Sequence, residues 1–177
     1  MIISTSLING FQKEIRAKIF GFWAHVNIAP YSLTKSYEET GVYKNQDFYL
    51  HPNKIKEAKH IQATAFKAGL LKTKTNFDGI VLKGIGSDFD TVTFKQYLKA
   101  GEMLSSDSNK SYAQLIVSTT TAKRMKLQLG DKVSVNFMGK QVRTRAFKIC
   151  GFYETGLEEF DKQFALSSIA VIQDLNN

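Results

Sequence analysis

The chain has 177 residues, with 24 Lys and Arg against 16 Asp and Glu, one Cys, and 43% apolar residues. A chain near this size buries roughly 70% of the surface its unfolded form exposes, so it can hold a core without disulfides, and a single Cys excludes an internal one. No apolar run approaches the ~20 residues needed to cross a bilayer, while the net charge of +8 leaves nucleic acid, anionic headgroups and acidic proteins open as partners.

That charge is unevenly spread. Residues 54–74 carry six Lys against Glu57 and residues 123–148 carry eight Lys or Arg against Asp131, whereas residues 151–161 hold four acids and no base. Solvated outer faces of amphipathic elements account for such a pattern without any partner.

In chain order, Met1 to Trp23 places Ile3, Leu7, Phe11, Ile15, Ile19 and Phe22 three or four apart, with Gln12, Lys13, Arg16 and Lys18 over much of the rest. That spacing predicts an amphipathic helix. The segment lacks the basic opening and small-residue cleavage site of a signal peptide. Ala24 to Ala29 reads as a strand, and Pro30 opens a polar, Tyr-rich stretch to about Asp47. Phe48 to Leu50 reads as extended, and Asn53 after Pro52 caps a predicted helix carrying Ile55, Ala58 and Ile61. Residues 62–73 and Gly79 to Ile85 read as strands, the second fully buried, and this succession suggests an α/β lobe.

Phe94 to Ala100 is a predicted short helix, Gln114 to Val117 a strand, and Thr121 to Leu127 a helix whose start is supplied by Ser118 and Thr119. The clearest pattern follows. After the turn signal Gly130-Asp131, Val133, Val135 and Phe137 alternate with Lys132, Ser134 and Asn136, as in a half-buried strand. Beyond Met138-Gly139-Lys140 the chain returns through Val142, Ala146, Phe147, Ile149 and Phe152, which completes a hairpin. An acidic turn from Glu154 to Asp161 precedes a strand from Gln163 to Leu166 and a final helix from Ser168 to Leu175.

Chemistry-bearing motifs are sparse. His25, His51 and His60 have no zinc-like spacing with thiol or carboxylate neighbours. Gly84-Ile85-Gly86-Ser87-Asp88 reads as a turn, because no phosphate-loop glycines or Lys-Ser/Thr follow it, so any ATP hydrolysis belongs to a different polypeptide. Glu158, Glu159 and Asp161 would need burial or crowding to act as acid and base. In a Gly-containing turn they are expected to be solvated. Cys150, between Ile149 and Gly151 on a strand, is expected to pack rather than react. No catalytic, cofactor-binding or metal residue is assigned. The alternative reading is a basic nucleic-acid-binding β domain, with Phe137, Phe147, Phe152 and Tyr153 interleaved with Lys132, Lys140, Arg143, Arg145 and Lys148. Alternation argues against it, since it turns Phe137 away from Lys132.

The order of parts from Leu129 to Leu166 resembles the periplasmic domain of ABC transporter permeases of the lipoprotein-releasing (LolC and LolE) and macrolide-exporter (MacB) superfamily. Asn9-Gly10-Phe11-Gln12-Lys13-Glu14-Ile15 with Ile19 and Gly21, leading to His25-Val26-Asn27-Ile28, is similar to that family's exit from its first membrane helix into its first periplasmic strand. Gly79 to Ile85 is similar to the strand before its Gly-Ile-Asp turn, with Gly86 where the aspartate would stand. Tyr97-Leu98 through Gly101-Glu102, and Ile116-Val117-Ser118 leading to Leu127-Gln128-Leu129-Gly130-Asp131, agree in turn.

The resemblance implies a mixed α+β fold, the MacB-like periplasmic core domain. It implies a juxtamembrane amphipathic helix at 1–22, a larger α/β lobe from 23–95 and 163–177 that continues beyond Asn177, and a smaller β-rich inserted lobe at 96–162. It implies an inner-membrane protein with this domain in the periplasm, expected to be a piece cut from a longer chain. A separate cytoplasmic ATPase subunit would drive it, a second permease subunit would pair with it, and a lipoprotein or other envelope substrate would be released or transferred without catalysis here. Phe11, Ile15 and Ile19 would form the mechanical link to the membrane, and Lys140, Arg143 and Arg145 a contact with a periplasmic chaperone. Only Met138-Gly139-Lys140-Gln141 joins the hairpin strands, so the chaperone-gripping hook of the LolC branch is missing, and a LolE-like role or another substrate both stay open. Nucleic acid is not an expected partner.

Overall fold

The computed structural model describes residues 2–31, 41–56, 58–105, 107–139 and 141–176. Helix α1 runs Ile2–Phe22 and α2 Asp47–Leu50, followed by a 3₁₀ turn at Pro52–Lys54. Strands β1 (Thr64–Lys72) and β2 (Phe77–Ile85) form a hairpin, and α3 (Thr91–Phe94) with the 3₁₀ turn Lys95–Tyr97 leads into β3 (Leu98–Gly101). Then come α4 (Ser108–Ser111), β4 (Gln114–Ser118), α5 (Thr119–Met125), β5 (Lys132–Phe137), β6 (Arg143–Tyr153), α6 (Glu158–Gln163), β7 (Phe164–Ser168) and α7 (Ile169–Asn176). The fold is mixed α and β, as the sequence predicts.

All seven strands join one sheet in the order β3-β6-β4-β7-β2-β1-β5, and β5 also pairs with β6. Six of them therefore close on themselves, from β1 through β2, β7, β4, β6 and β5 back to β1. The 11-residue β6 makes this closure possible: one edge carries β5 over its first half and β3 over its second, while the other edge carries β4 in parallel. A one-residue register shift between Leu115 and Ile116 lets β6 turn from one set of neighbours to the next. The strands of 96–162 thus lie beside the others in the same sheet, joined to them at β4–β7 and at β1–β5.

Strand parity then sorts the side chains. Ile80, Leu82, Leu115, Val117, Val133, Val135 and Phe147 point to one face, where Met125 of α5 and Val171 and Ile172 of α7 complete an apolar core. Val81, Ile85, Ile116, Phe164, Leu166 and Tyr153 point to the opposite face, which is capped by Phe94, Tyr97 and Phe22. With both faces covered, β2 and β4 read as nearly continuous apolar runs rather than alternating ones. Helix α5 starts where Ser118 Oγ accepts the Thr121 N–H at 3.0 Å, and ends where Lys126 turns into the left-handed region at φ 55°.

Four expectations change. Ala24 to Ala29 forms no strand: Ala24 has φ 100°, and Val26 and Ile28 are exposed, so the alternating apolar residues have no face to bury against. Phe48 to Leu50 lies in α2 rather than in extended chain, and past Asn53 only the 3₁₀ turn forms. Leu98 to Gly101 is a strand instead of the end of a helix, because Leu98 pairs with Tyr153 and Gly101 with Gly151. Glu158 to Gln163 is helical, and its Asp161 is buried at 3% exposure rather than solvated.

Candidate functional site

The apolar stripe of α1 is graded along its length. Leu7 and Phe11 are 74% and 65% exposed, Ile15 and Ile19 are half-buried, and Phe22 is buried at 1%. The side chain of Ile3 lies outside the described residues. The helix therefore stands free over residues 6–14 and docks through its last two turns.

Docking is by aromatic contact. The Phe22 ring lies 6.0 Å from Tyr153, 5.6 Å from Phe160 and 5.6 Å from Phe164, and Trp23 lies 5.1 Å from Phe66 and 5.2 Å from Phe164. Offset and edge-on pairs of this kind add about 0.5–1.5 kcal/mol each beyond the area they bury. Tyr97 Oη donates to the Ala17 carbonyl at 3.5 Å, and a Cβ at Gly21 would stand 2.6 Å from that hydroxyl, so the close approach at this point depends on glycine.

Beneath the helix end lies Lys83, 1% exposed, on the outward parity of β2 with Val81 and Ile85. Its Nζ donates to the Phe22 carbonyl and sits 4.4 Å from the Phe22 ring, 5.6 Å from Trp23 and 5.8 Å from Phe89. A cation here meets the negative end of the helix dipole and the faces of three rings. Burial still wins: it lowers the Lys83 ammonium from its ordinary 10.5 to about 8.

The other predicted residues fall elsewhere. Lys140 lies outside the described residues. Arg143 and Arg145 pair across the hairpin with Phe137 and Val135, on the inward side, and reach the end of α7. Arg145 Nη2 is 2.7 Å from Asp174 Oδ2, an ion pair with the last turn of α7, and Arg143 Nη1 donates to the Asp174 carbonyl at 3.1 Å, which caps that helix C-terminus. The hydrogen bond from Arg145, joined by one from Tyr112, holds the Asp174 carboxyl below the ordinary carboxylate range. Phe137, Phe147 and Tyr153 are buried in the cores, so they offer no stacking platform to nucleic acid. Asp161 organises its own turn, accepting from Thr155 N at 3.1 Å, Thr155 Oγ1 at 2.9 Å and Gly156 N at 3.1 Å. Half-buried Cys150 has its thiol pushed up to about 11 by burial, which makes it a poor nucleophile. Among the described residues no three His, Cys, Asp or Glu gather as metal ligands. Sequence reasoning missed Lys83 and the Trp23 contacts. The one available signal was a lysine inside the apolar run Ile80-Val81-Leu82-Lys83-Gly84-Ile85.

No family model matches the chain, and no curated protein is similar to it. Solved structures are. The extracellular domain of the noncanonic ABC-type transporter YknZ from Gram-positive bacteria matches with a TM-score of 0.50 at 18% identity, over 69% of this chain and 62% of that one. The periplasmic region of MacB from Actinobacillus actinomycetemcomitans gives 0.48 at 18% identity, over 69% of this chain and 55% of that one. The chain thus spans between about half and two thirds of the length of these structures. The likeness to the first is one of fold, that of an extracytoplasmic domain of an ABC-type transporter.

Proposed function

We propose that this chain is a non-catalytic extracytoplasmic domain of an ABC-type permease, in which α1 carries movement between membrane helices and the sheet. One observation carries the reading: a domain of this fold grips the last two turns of a long amphipathic helix and leaves residues 6–14 of that helix bare. Phe22, Trp23 and Lys83 fix one end, and Phe11, Ile15 and Ile19 lie along the part that would lead to the membrane. No described helix is long and apolar enough to cross a membrane.

In this reading a cytoplasmic ATPase subunit supplies the energy, a second permease subunit pairs with the first, and the domain passes on a lipoprotein or other envelope substrate. The periplasm is its compartment. The larger lobe would comprise 23–95 and 163–177 and the inserted lobe 96–162, with the seams at β4–β7 and β1–β5. A chaperone contact through Lys140, Arg143 and Arg145 would be weak and salt-sensitive, because Arg143 and Arg145 are already engaged by α7 and the short hairpin connection falls far below the ~800 Å² per side of a stable complex.

The test is topology and company in the parent cell. A Thr75→Cys label in the β1–β2 turn should react with an impermeant maleimide once the outer envelope is opened, and affinity purification of the full-length protein should bring down an ATP-hydrolysing subunit. Labelling only after the inner membrane is breached would overturn the reading.

A further inference from the structure

We propose that Lys83 is the positioning residue that latches the end of α1 to the sheet, closed by the helix's own last carbonyl and its two terminal aromatic rings. Two of the three rings around Nζ, Phe22 and Trp23, and its one hydrogen-bond acceptor among the described residues, the Phe22 carbonyl, belong to the end of α1 and the residue after it, with Phe22 61 positions from Lys83. Only Phe89 belongs to the sheet's own side. When the helix end lifts, Lys83 loses its acceptor and most of its cage at once and meets water instead. The environment of this ammonium is therefore a function of one coordinate, the docking of α1.

Charge couples the two. Undocked, Lys83 is a hydrated ammonium with an ordinary lysine affinity for protons; docked, burial weakens that affinity. The docked state holds fewer protons, so docking strengthens as pH rises from about 8 toward 10.5 and is opposed below that range. A neutral amine keeps N–H donors, so the bond to the Phe22 carbonyl survives deprotonation while the desolvation cost disappears. The titratable groups around this cluster are Tyr97 after α3 and Tyr153 of β6, with Lys18 of α1 near Tyr97 and Asp161 of α6 near Tyr153, while Asp88, beside Phe89 in the chain, is engaged by Tyr49 and, through its carbonyl, by His60. None of them perturbs Lys83, for which burial is the cause. Burial raises the Tyr97 and Tyr153 phenols above their ordinary 10, away from the pH range of the test below.

The inference rests on the mechanical reading of α1 for its purpose, but its test does not. In the 177-residue chain, hydrogen exchange at the Trp23 and Ala24 amides, which bond to the Ile19 and Phe20 carbonyls, reports the last turn of α1. Corrected for intrinsic exchange, their protection should rise on the order of tenfold from about pH 7 to about pH 9.5, while Val81 and Leu82 in β2 stay flat. Lys83→Met should abolish the slope and keep β2 protected. Should that variant fail to fold, Lys83→Arg, whose guanidinium does not titrate, should be flat as well. A flat wild-type profile, or a slope that survives in either variant, overturns the latch. A slope confirmed in the isolated chain, together with undiminished transport by a Lys83→Met permease, leaves the latch standing and overturns the mechanical reading instead.

Discussion

The two faces of the sheet are closed by different means. The inward face is sealed by α5 and α7, each of which follows directly on a strand of the sheet, and its lining is almost wholly aliphatic with Phe137 and Phe147. The outward face is capped partly by Phe94 and Tyr97 and, from a distance, by the end of α1, and its lining is mostly aromatic, with one buried lysine. A local lid folds with its strand and cannot leave without unfolding it. A remote lid pays loop-closure entropy and can open while the sheet persists. The outward face is therefore where a domain of this fold can move and remain folded.

Truncating the inward core should do the most harm. Phe147→Ala removes a ring at 2% exposure that pairs with Val133, and should cost about 3–5 kcal/mol of global stability. Urea denaturation followed by far-ultraviolet dichroism measures it. A loss below about 1 kcal/mol would show that the closed circuit is not the stability-determining unit.

Phe22→Ala sharpens the contrast. It deletes as large and as buried a ring, yet the loss should appear as release of α1, with Trp23 fluorescence shifting to the red and exchange rising at Trp23 and Ala24. The strand amides of β2 and β4 should remain protected. Global unfolding equal to that of Phe147→Ala would erase the distinction between the faces.

Asp161→Ala tests a smaller element of the same outward side. It strands the Thr155 and Gly156 N–H groups, and should cost about 1–3 kcal/mol. The residue itself shows the limit of reading a sequence. The hairpin, β2, α5 and its Ser118 cap were legible because their signals are local: alternation, an apolar run, a hydroxyl at the start of a helix. Asp161 and Lys83 were not, since an acid in an acidic turn and a lysine in a strand look solvated until distant groups bury them. The same holds for β3, whose four residues become a strand only through Tyr153 and Gly151, and for Ala24 to Ala29, which has the period of a strand but leaves Val26 and Ile28 exposed. The graded stripe of α1 was legible as a stripe; where it stops being covered was not.

The smallest effect should come from the first half of α1. Phe11 is 65% exposed and makes none of the ring contacts that hold Phe22, so Phe11→Ser removes little surface that folding had taken out of water. Serine and phenylalanine have nearly equal helix propensities, so the backbone adds little. The urea midpoint should thus stay within about 0.5 kcal/mol of the parent, as for other surface substitutions. The same variant in a full-length permease should behave differently. On the mechanical reading proposed above, an exposed apolar stripe above a docked end is where force would pass to another helix, so that reading expects transport to fall while the stability of the domain does not. A loss above about 1.5 kcal/mol in the isolated chain would mean that this half of the helix is packed after all. The free half and the docked half would then be one rigid body, and the division on which the mechanical reading depends would be gone.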